Sequence, residues 1–293
     1  MPGRSSSTEP PVVDPQRSAG STPRTGGRAG RDLPAAITVG AVLVAWVVVG
    51  LFFLPLMVVT LAAAAAGVGT WEVGRALNRK RGMRIPLIPA VATGVAFPFV
   101  AYFGGGEALM YTVLGSIILV ILWRVMGRRD GMLISIMGSV FVMLWVPFML
   151  GLAVLLYREE QGSVRVLTIV LMAVGNDVWG YVAGILWGRH PMAPRISPKK
   201  TWEGFAGSMV GSIVTGLLCA VSLLQDPWWT GVVLAVLLVI AATTGDLAES
   251  MVKREIAIKD MSALLPGHGG VMDRLDSIVF AMATGYVVFA VLV

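Results

Sequence analysis

Apolar residues run along this chain in long unbroken blocks, divided by short clusters of glycine, proline and charge. Residues 33–71 hold no charge at all; as a single helix, 39 residues rising about 1.5 Å each would approach twice the thickness of a bilayer core. Two spans with a turn near residues 50–55 fit better. Further blocks lie at 85–103, 108–126, 132–157, 164–188, 202–224, 228–252 and 275–293. The pattern therefore predicts an all-α polytopic membrane protein with nine transmembrane helices. Residues 33–293 form its membrane domain.

Composition agrees: 56% of the residues are hydrophobic and 14% charged, a load no soluble domain carries. Residues 1–32 differ, being rich in Gly, Ser, Pro, Thr and Arg with almost no large apolar residue. They cannot bury enough surface to offset the entropy of ordering, and they read as a disordered cytoplasmic tail. The tail lacks the apolar core of a signal peptide. A lone cysteine, Cys219, excludes a disulfide framework and a cysteine-based metal site.

The net charge of +6 raises the question of nucleic acid, but the basic residues sit in short loops between spans. If the tail is cytoplasmic and the spans alternate, 21 of the 23 Lys and Arg fall inside, leaving only Arg158 and Arg165 outside. Topology and anionic lipid account for that charge better than nucleic acid does. The expected arrangement has the N-terminus cytoplasmic and the C-terminus outside. It places the two segments richest in polar residues, 189–204 and 250–276, at the cytoplasmic face of the plasma membrane, where nucleotides are found.

Ionisable groups inside or at the ends of spans are costly unless partnered, so each is a functional candidate. Asp177 lies near the middle of the sixth span, with Gly180, Tyr181, Gly184 and Gly188 on the same face; the glycine ladder reads as close helix packing. The loop after it runs Arg189-His-Pro-Met-Ala-Pro-Arg-Ile-Ser-Pro-Lys-Lys-Thr-Trp-Glu-Gly. Its three prolines hold it extended, and Thr201 is placed to cap the seventh span. Lys199 and Lys200 beside a helix start make a natural phosphate site. At the end of the eighth span Asp246, Glu249, Ser250 and Lys253 are spaced i, i+3, i+4 and i+7, so they share one face, and Asp273 and Asp276 repeat the i, i+3 spacing. Carboxylates so paired suit a hard divalent cation, and the basic residues suit phosphate oxygens. Asp246 and Asp273 on facing helices, with Glu249 and Asp276 beside them, are the expected cation site. His268, between glycines, reads equally as a general base, a phosphate donor or a turn residue binding backbone.

The stretch 250–277 resembles the signature of the phosphatidate cytidylyltransferase (CDP-diacylglycerol synthase) family. Ser250, Lys253, Arg254, Lys259, Asp260, Ser262, Leu265, Pro266, His268, Gly269, Gly270, Asp273, Arg274 and Asp276 fall in register with it. Ser-Pro-Lys-Lys-Thr-Trp-Glu-Gly at 197–204 resembles the second hallmark of that family. The likeness covers residues 171–277 by motif, and it departs at Ile185 and Met261. It implies transfer of CMP from CTP to phosphatidic acid, giving CDP-diacylglycerol and pyrophosphate, with Mg²⁺ at Asp246, Glu249, Asp273 and Asp276. Carried over residue by residue, the catalytic set is Asp246, Asp273, Lys253, Lys259, Asp260, His268 and Arg274. The substrate-binding set is Asp177, Ser197, Lys199, Lys200, Thr201, Glu203, Ser250, Arg254, Gly269 and Gly270. A second, monovalent cation and a homodimer stay open.

Three rival readings have less support. An ion-coupled transporter using Asp177 would not need the lysine-rich loop. A CTP-dependent polyprenol kinase would share the nucleotide-binding features. A CDP-alcohol phosphotransferase would carry Asp-Gly-x-x-Ala-Arg, which this sequence lacks.

Overall fold

The computed structural model describes residues 45–127, 130–264 and 269–292. The tail at 1–32, the start of the first span, Arg128, Arg129, Leu265, Pro266 and His268 lie outside the described residues. Among those described, seven helices are long and apolar enough to cross a membrane. They are α1 (Pro55–Arg81), α2 (Leu87–Met126), α3 (Met132–Arg158), α4 (Gly162–Trp187), α5 (Trp202–Leu224), α6 (Trp228–Glu255) and α7 (Met272–Leu292). Residues 45–52 are helical too. The all-α expectation meets one addition: the proline-rich loop folds as an antiparallel hairpin of β1 (Pro191–Ala193) and β2 (Ser197–Thr201).

Local sequence explains where the helices begin, bend and stop. A proline opens α1, where a missing N–H costs nothing, and Arg79, Lys80 and Arg81 close it against the negative end of the helix dipole. Gly82, at φ 61°, then ends it by donating its N–H to the Asn78 carbonyl. In α3 the backbone widens into a π turn over Leu144–Phe148, absorbing Pro147, which can neither donate an N–H nor fit against the preceding turn.

At 40 residues α2 would measure about 60 Å, twice a hydrocarbon core. It is two segments folded back on each other. Gly105 breaks the helix at φ 74°, ψ −164°, a conformation essentially confined to glycine. Arg84 just before α2 and Arg124 near its end both donate to the Asp130 carbonyl, at 3.3 and 3.0 Å. Ala90 and Thr93 of the first segment share a small space with Ile117 and Val120 of the second. The chain therefore reverses at the Gly-Gly-Gly-Glu sequence, as the hydropathy implied.

Three apolar clusters knit the helices. One joins α3, α4, α6 and α7 through Leu156, Ile169, Met172, Leu238, Met282 and Phe289. Another joins α1, α3 and α7 through Val73, Leu77, Trp145, Val146, Met272 and Val279. A third joins α1, α2 and α3 through Val59, Phe97, Leu109 and Val154. Between α4 and α5 the expected glycine contact forms, with Gly180 and Gly184 against Gly204 and Ser208. The outward faces carry exposed Leu133, Val210, Leu218 and Val291, apolar area that would cost about 25 cal/mol per Å² in water and costs nothing against lipid.

Polar contacts gather at the two ends. At one, Arg81 pairs with Glu255, Arg254 donates to the Ile196 carbonyl, and Lys200 meets Asp246. At the other, the Tyr157 hydroxyl donates to the carbonyls of Gly50 and Leu51, Ser163 also donates to Leu51, and Arg165 lies over the Phe289 ring near the end of α7. The described basic residues other than Arg158 and Arg165 belong to the elements of the first end, the same partition that the sequence gives. Replacing Gly105 with Ala should force a side chain into the glycine-only region and against the Arg158 guanidinium. The expected loss is about 1–3 kcal/mol of stability in detergent, read as an earlier tryptophan-fluorescence melt; an unchanged melt would mean the reversal is not strained.

Candidate active site

The first end of the bundle is built around the loop between α6 and α7. Helix α6 stops at Glu255, Ile256 buries itself, and Ala257 turns the chain at φ 53°. The loop then returns to α7 under the control of two carboxylates. Asp273, in the first turn of α7, accepts from the amide of Met261 at 3.0 Å, the amide of Gly270 at 2.7 Å and Lys253 Nζ at 3.0 Å. Glu72, from α1, accepts from the Ser262 hydroxyl at 2.5 Å and from the amides of Val271 and Met272 at 3.0 and 2.8 Å. A Cβ at Gly270 would stand 2.9 Å from both Glu72 oxygens and 3.0 Å from Asp273 Oδ2, so the turn closes only with glycine there. Gly269 adopts φ +82°.

The expected row on α6 is present. Lys253 bridges Glu249 and Asp273, binding two helices together. Glu249 is fully buried, and its Oε1 has no hydrogen-bond partner among the described residues. The Asp276 carboxyl lies near Glu249 and Asp246. One turn along, Asp246 accepts from Ser250 and pairs with Lys200 Nζ at 2.5 Å.

That last contact brings in the hairpin. Glu203, in the first turn of α5, accepts from the amides of Arg189 and His190 at 3.1 and 3.2 Å and meets His190 Nδ1 at 2.5 Å, fixing the base of the hairpin. Thr201 caps α5 as its position implied, accepting from the Gly204 amide at 3.1 Å. The Trp202 amide goes to the His190 carbonyl, so two of the first three amides of α5 are already used. Strand alternation separates the two lysines: Lys200 turns to Asp246 while the neighbouring Lys199 is exposed. Ser197 is half-buried at the start of β2. Asp177 on α4 accepts from Asn176 at 3.1 Å and lies within Coulomb range of Asp246 and Lys200, at the edge of the same cluster.

Of the residues singled out in the sequence, the structure thus brings together Asp177, Lys200, Asp246, Glu249, Ser250, Lys253, Gly269, Gly270, Asp273 and Asp276. Arg254 and Glu203 hold the hairpin to α6 and α5. Lys259 and Asp260 stand exposed on the loop, Asp260 near Gly269, and Arg274 lies in the first turn of α7. Asp246 and Asp273 are held by different lysines, Lys200 and Lys253, and Lys253 also pairs with Glu249. Among the described residues no three acidic or histidine side chains form a ready metal cage. The donor set still fits a hard cation, since Asp246, Glu249 and Asp276 are all oxygen donors and Glu249 leaves a buried oxygen unmatched.

Sequence reasoning missed Glu72. A carboxylate within an apolar span is signal enough to single out a residue, and Glu72 is one.

The chain matches the model of the Cytidylyltransferase family over residues 34–292. It is 38% identical to a protein of Mycobacterium bovis named phosphatidate cytidylyltransferase, over 96% of both chains. Proteins of the same name from Mycobacterium leprae and Brucella abortus are similar as well. The first is 39% identical over 86% of this chain and 85% of its own, the second 43% over 48% and 53%. With a family match that spans all the described residues and a full-length relative above 30% identity, this chain belongs to the Cytidylyltransferase family.

Proposed function

We propose that this protein transfers CMP from CTP to phosphatidic acid, releasing CDP-diacylglycerol and pyrophosphate. The observation that carries the reading is the 2.5 Å contact between Lys200 Nζ and Asp246 Oδ2, which joins the lysine-bearing hairpin to the carboxylate row at one end of a membrane bundle. A phosphate-binding segment and a cation-binding segment meet there. The relatives named phosphatidate cytidylyltransferase support the same substrates.

A phosphatidate oxygen forms its bond to the α-phosphorus of CTP as the bond from that phosphorus to pyrophosphate breaks, and the electron pair leaves with the pyrophosphate. The nucleophile is already an anion, so no base is required. The demand is for positive charge around the triphosphate and for alignment. Lys200 supplies charge beside Asp246, while Lys199 and the start of α5 face outward to the rest of the nucleotide. Lys253 holds Asp273 and Glu249 in place, and Arg254 keeps the hairpin tip against α6. Asp246, Glu249 and Asp276 would hold Mg²⁺, with Asp273 bordering them through Lys253; when bound, the ion would neutralise phosphate charge as pyrophosphate departs. Five carboxylates, Asp177, Asp246, Glu249, Asp273 and Asp276, crowd around Lys200 and Lys253, an imbalance that favours a cation.

The site faces the cytoplasm of a plasma-membrane protein with nine spans, N-terminus inside and C-terminus outside. The gathering of basic residues at the site end supports this orientation. The reversal at Gly105 and the helical residues 45–52 support the count.

Three outcomes test the reading. In an assay following labelled CMP from CTP into lipid, Lys200→Ala should cost about 1.5–3 kcal/mol in kcat/KM for CTP, ten- to a hundredfold, and Lys199→Ala distinctly less. Equal effects would place the nucleotide elsewhere. Chelation should abolish transfer and Mg²⁺ restore it, with Asp276→Asn needing roughly tenfold more Mg²⁺ for half-maximal rate. An unchanged Mg²⁺ requirement would remove Asp276 from the site. After Cys219→Ser, a cysteine placed at Gln161 should react with an impermeant reagent on intact cells and one at Ala193 should not; the reverse would put the site on the outer face.

A further inference from the structure

We infer that Glu72 is a positioning residue for cytidylyl transfer, holding the loop that carries the signature residues in its reactive shape from a helix outside both motifs. The inference rests on the cytidylyl-transfer reading. Glu72 is 1% exposed, and its partners among the described residues are all N–H and O–H donors of one loop: Ser262, Val271 and Met272. Those partners lie 190, 199 and 200 residues further along the chain.

The amides of Gly270 and Val271, just ahead of α7, and of Met272, its first residue, have no helical carbonyl behind them; this helix bears Asp273, Arg274 and Asp276. Asp273 takes the first and Glu72 the next two. A negative carboxylate placed there complements the positive end of the helix and sets its rotation and depth. The rotation of α7 in turn decides where Asp273 meets Lys253 and where Asp276 meets Glu249. Through Ser262, Glu72 also holds the outgoing half of the loop, where the Met261 amide reaches Asp273. One buried carboxylate therefore ties both halves of the loop and the helix behind it, without itself facing the substrates.

The test uses the full-length protein in detergent with CTP, phosphatidate and Mg²⁺, comparing Glu72→Gln and Ser262→Ala. Gln keeps the shape but replaces one acceptor with a donor, and it should lower kcat about tenfold; Ser262→Ala should lower it about threefold, with KM for phosphatidate unchanged in both. Because the two side chains share one hydrogen bond, the double variant should be no slower than Glu72→Gln alone. Tyr157→Phe, which removes a buried hydrogen bond at the opposite end, gives the comparison for a purely structural loss: an earlier melt with kcat unchanged. Trypsin cleavage after exposed Lys259 reports the loop independently of the reaction and should be faster in Glu72→Gln and Ser262→Ala than in the wild type or Tyr157→Phe. Unchanged kcat in both loop variants, or unchanged cleavage in both, overturns the inference. If the wild type itself moves no CMP to phosphatidate, the functional reading fails while the cleavage pattern still judges Glu72.

Discussion

Burying a carboxylate at the edge of a membrane is tolerable only when every oxygen finds a donor, and the site end of this bundle is organised by that requirement. Glu72 and Asp273 face each other across Gly270, and between them they consume the first amides of α7, the amide of Met261, the hydroxyl of Ser262 and one lysine. The described parts of the loop, residues 256–264 and 269–271, are thereby tied to α1 and α7. The rest of the site, from Lys253 to Asp276, takes its geometry from where that loop starts and ends.

A second layer is less fully satisfied. Around Asp246, Glu249 and Asp276 acid outnumbers its direct lysine partners, and one oxygen of Glu249 has no donor among the described residues. Natural proteins complete their structural polar networks and leave such deficits where a ligand completes them. The contrast between the saturated pair and the unsaturated trio is what the proposed cation site would draw on.

Much of this was legible in the sequence, for reasons that differ from element to element. Uncharged blocks mark spans because a bilayer offers backbone polar groups no water. The reversal at Gly105 could be read from the Gly-Gly-Gly-Glu break between two apolar blocks, 85–103 and 108–126. The α6 row and the Thr201 cap follow from helical periodicity and short-range hydrogen bonding. What periodicity cannot give is a partner 200 residues away, and Glu72 was hidden for that reason. The hairpin at 191–201 was hidden differently: three prolines read as an extended loop, and nothing local announced that β1 would pair with β2 and send Lys199 and Lys200 to opposite sides. That Asp246 is held by Lys200 and Asp273 by Lys253 was not legible either, because ion pairs between elements leave no mark in local spacing.

The span from Glu72 to Met272 has a consequence for assembly. Synthesis begins at the amino end, so α1 enters the membrane with its carboxylate in place well before the loop that satisfies it has been made. The donors arrive only with the last helix, and until then neither Glu72 nor the amides at the head of α7 have their native partners. A chain truncated or stalled short of α7 would keep the contact between Lys200 and Asp246 but lack Asp273, Asp276 and the Met272 amide that Glu72 accepts from. Completion of the bundle is thus what locks the loop to α1.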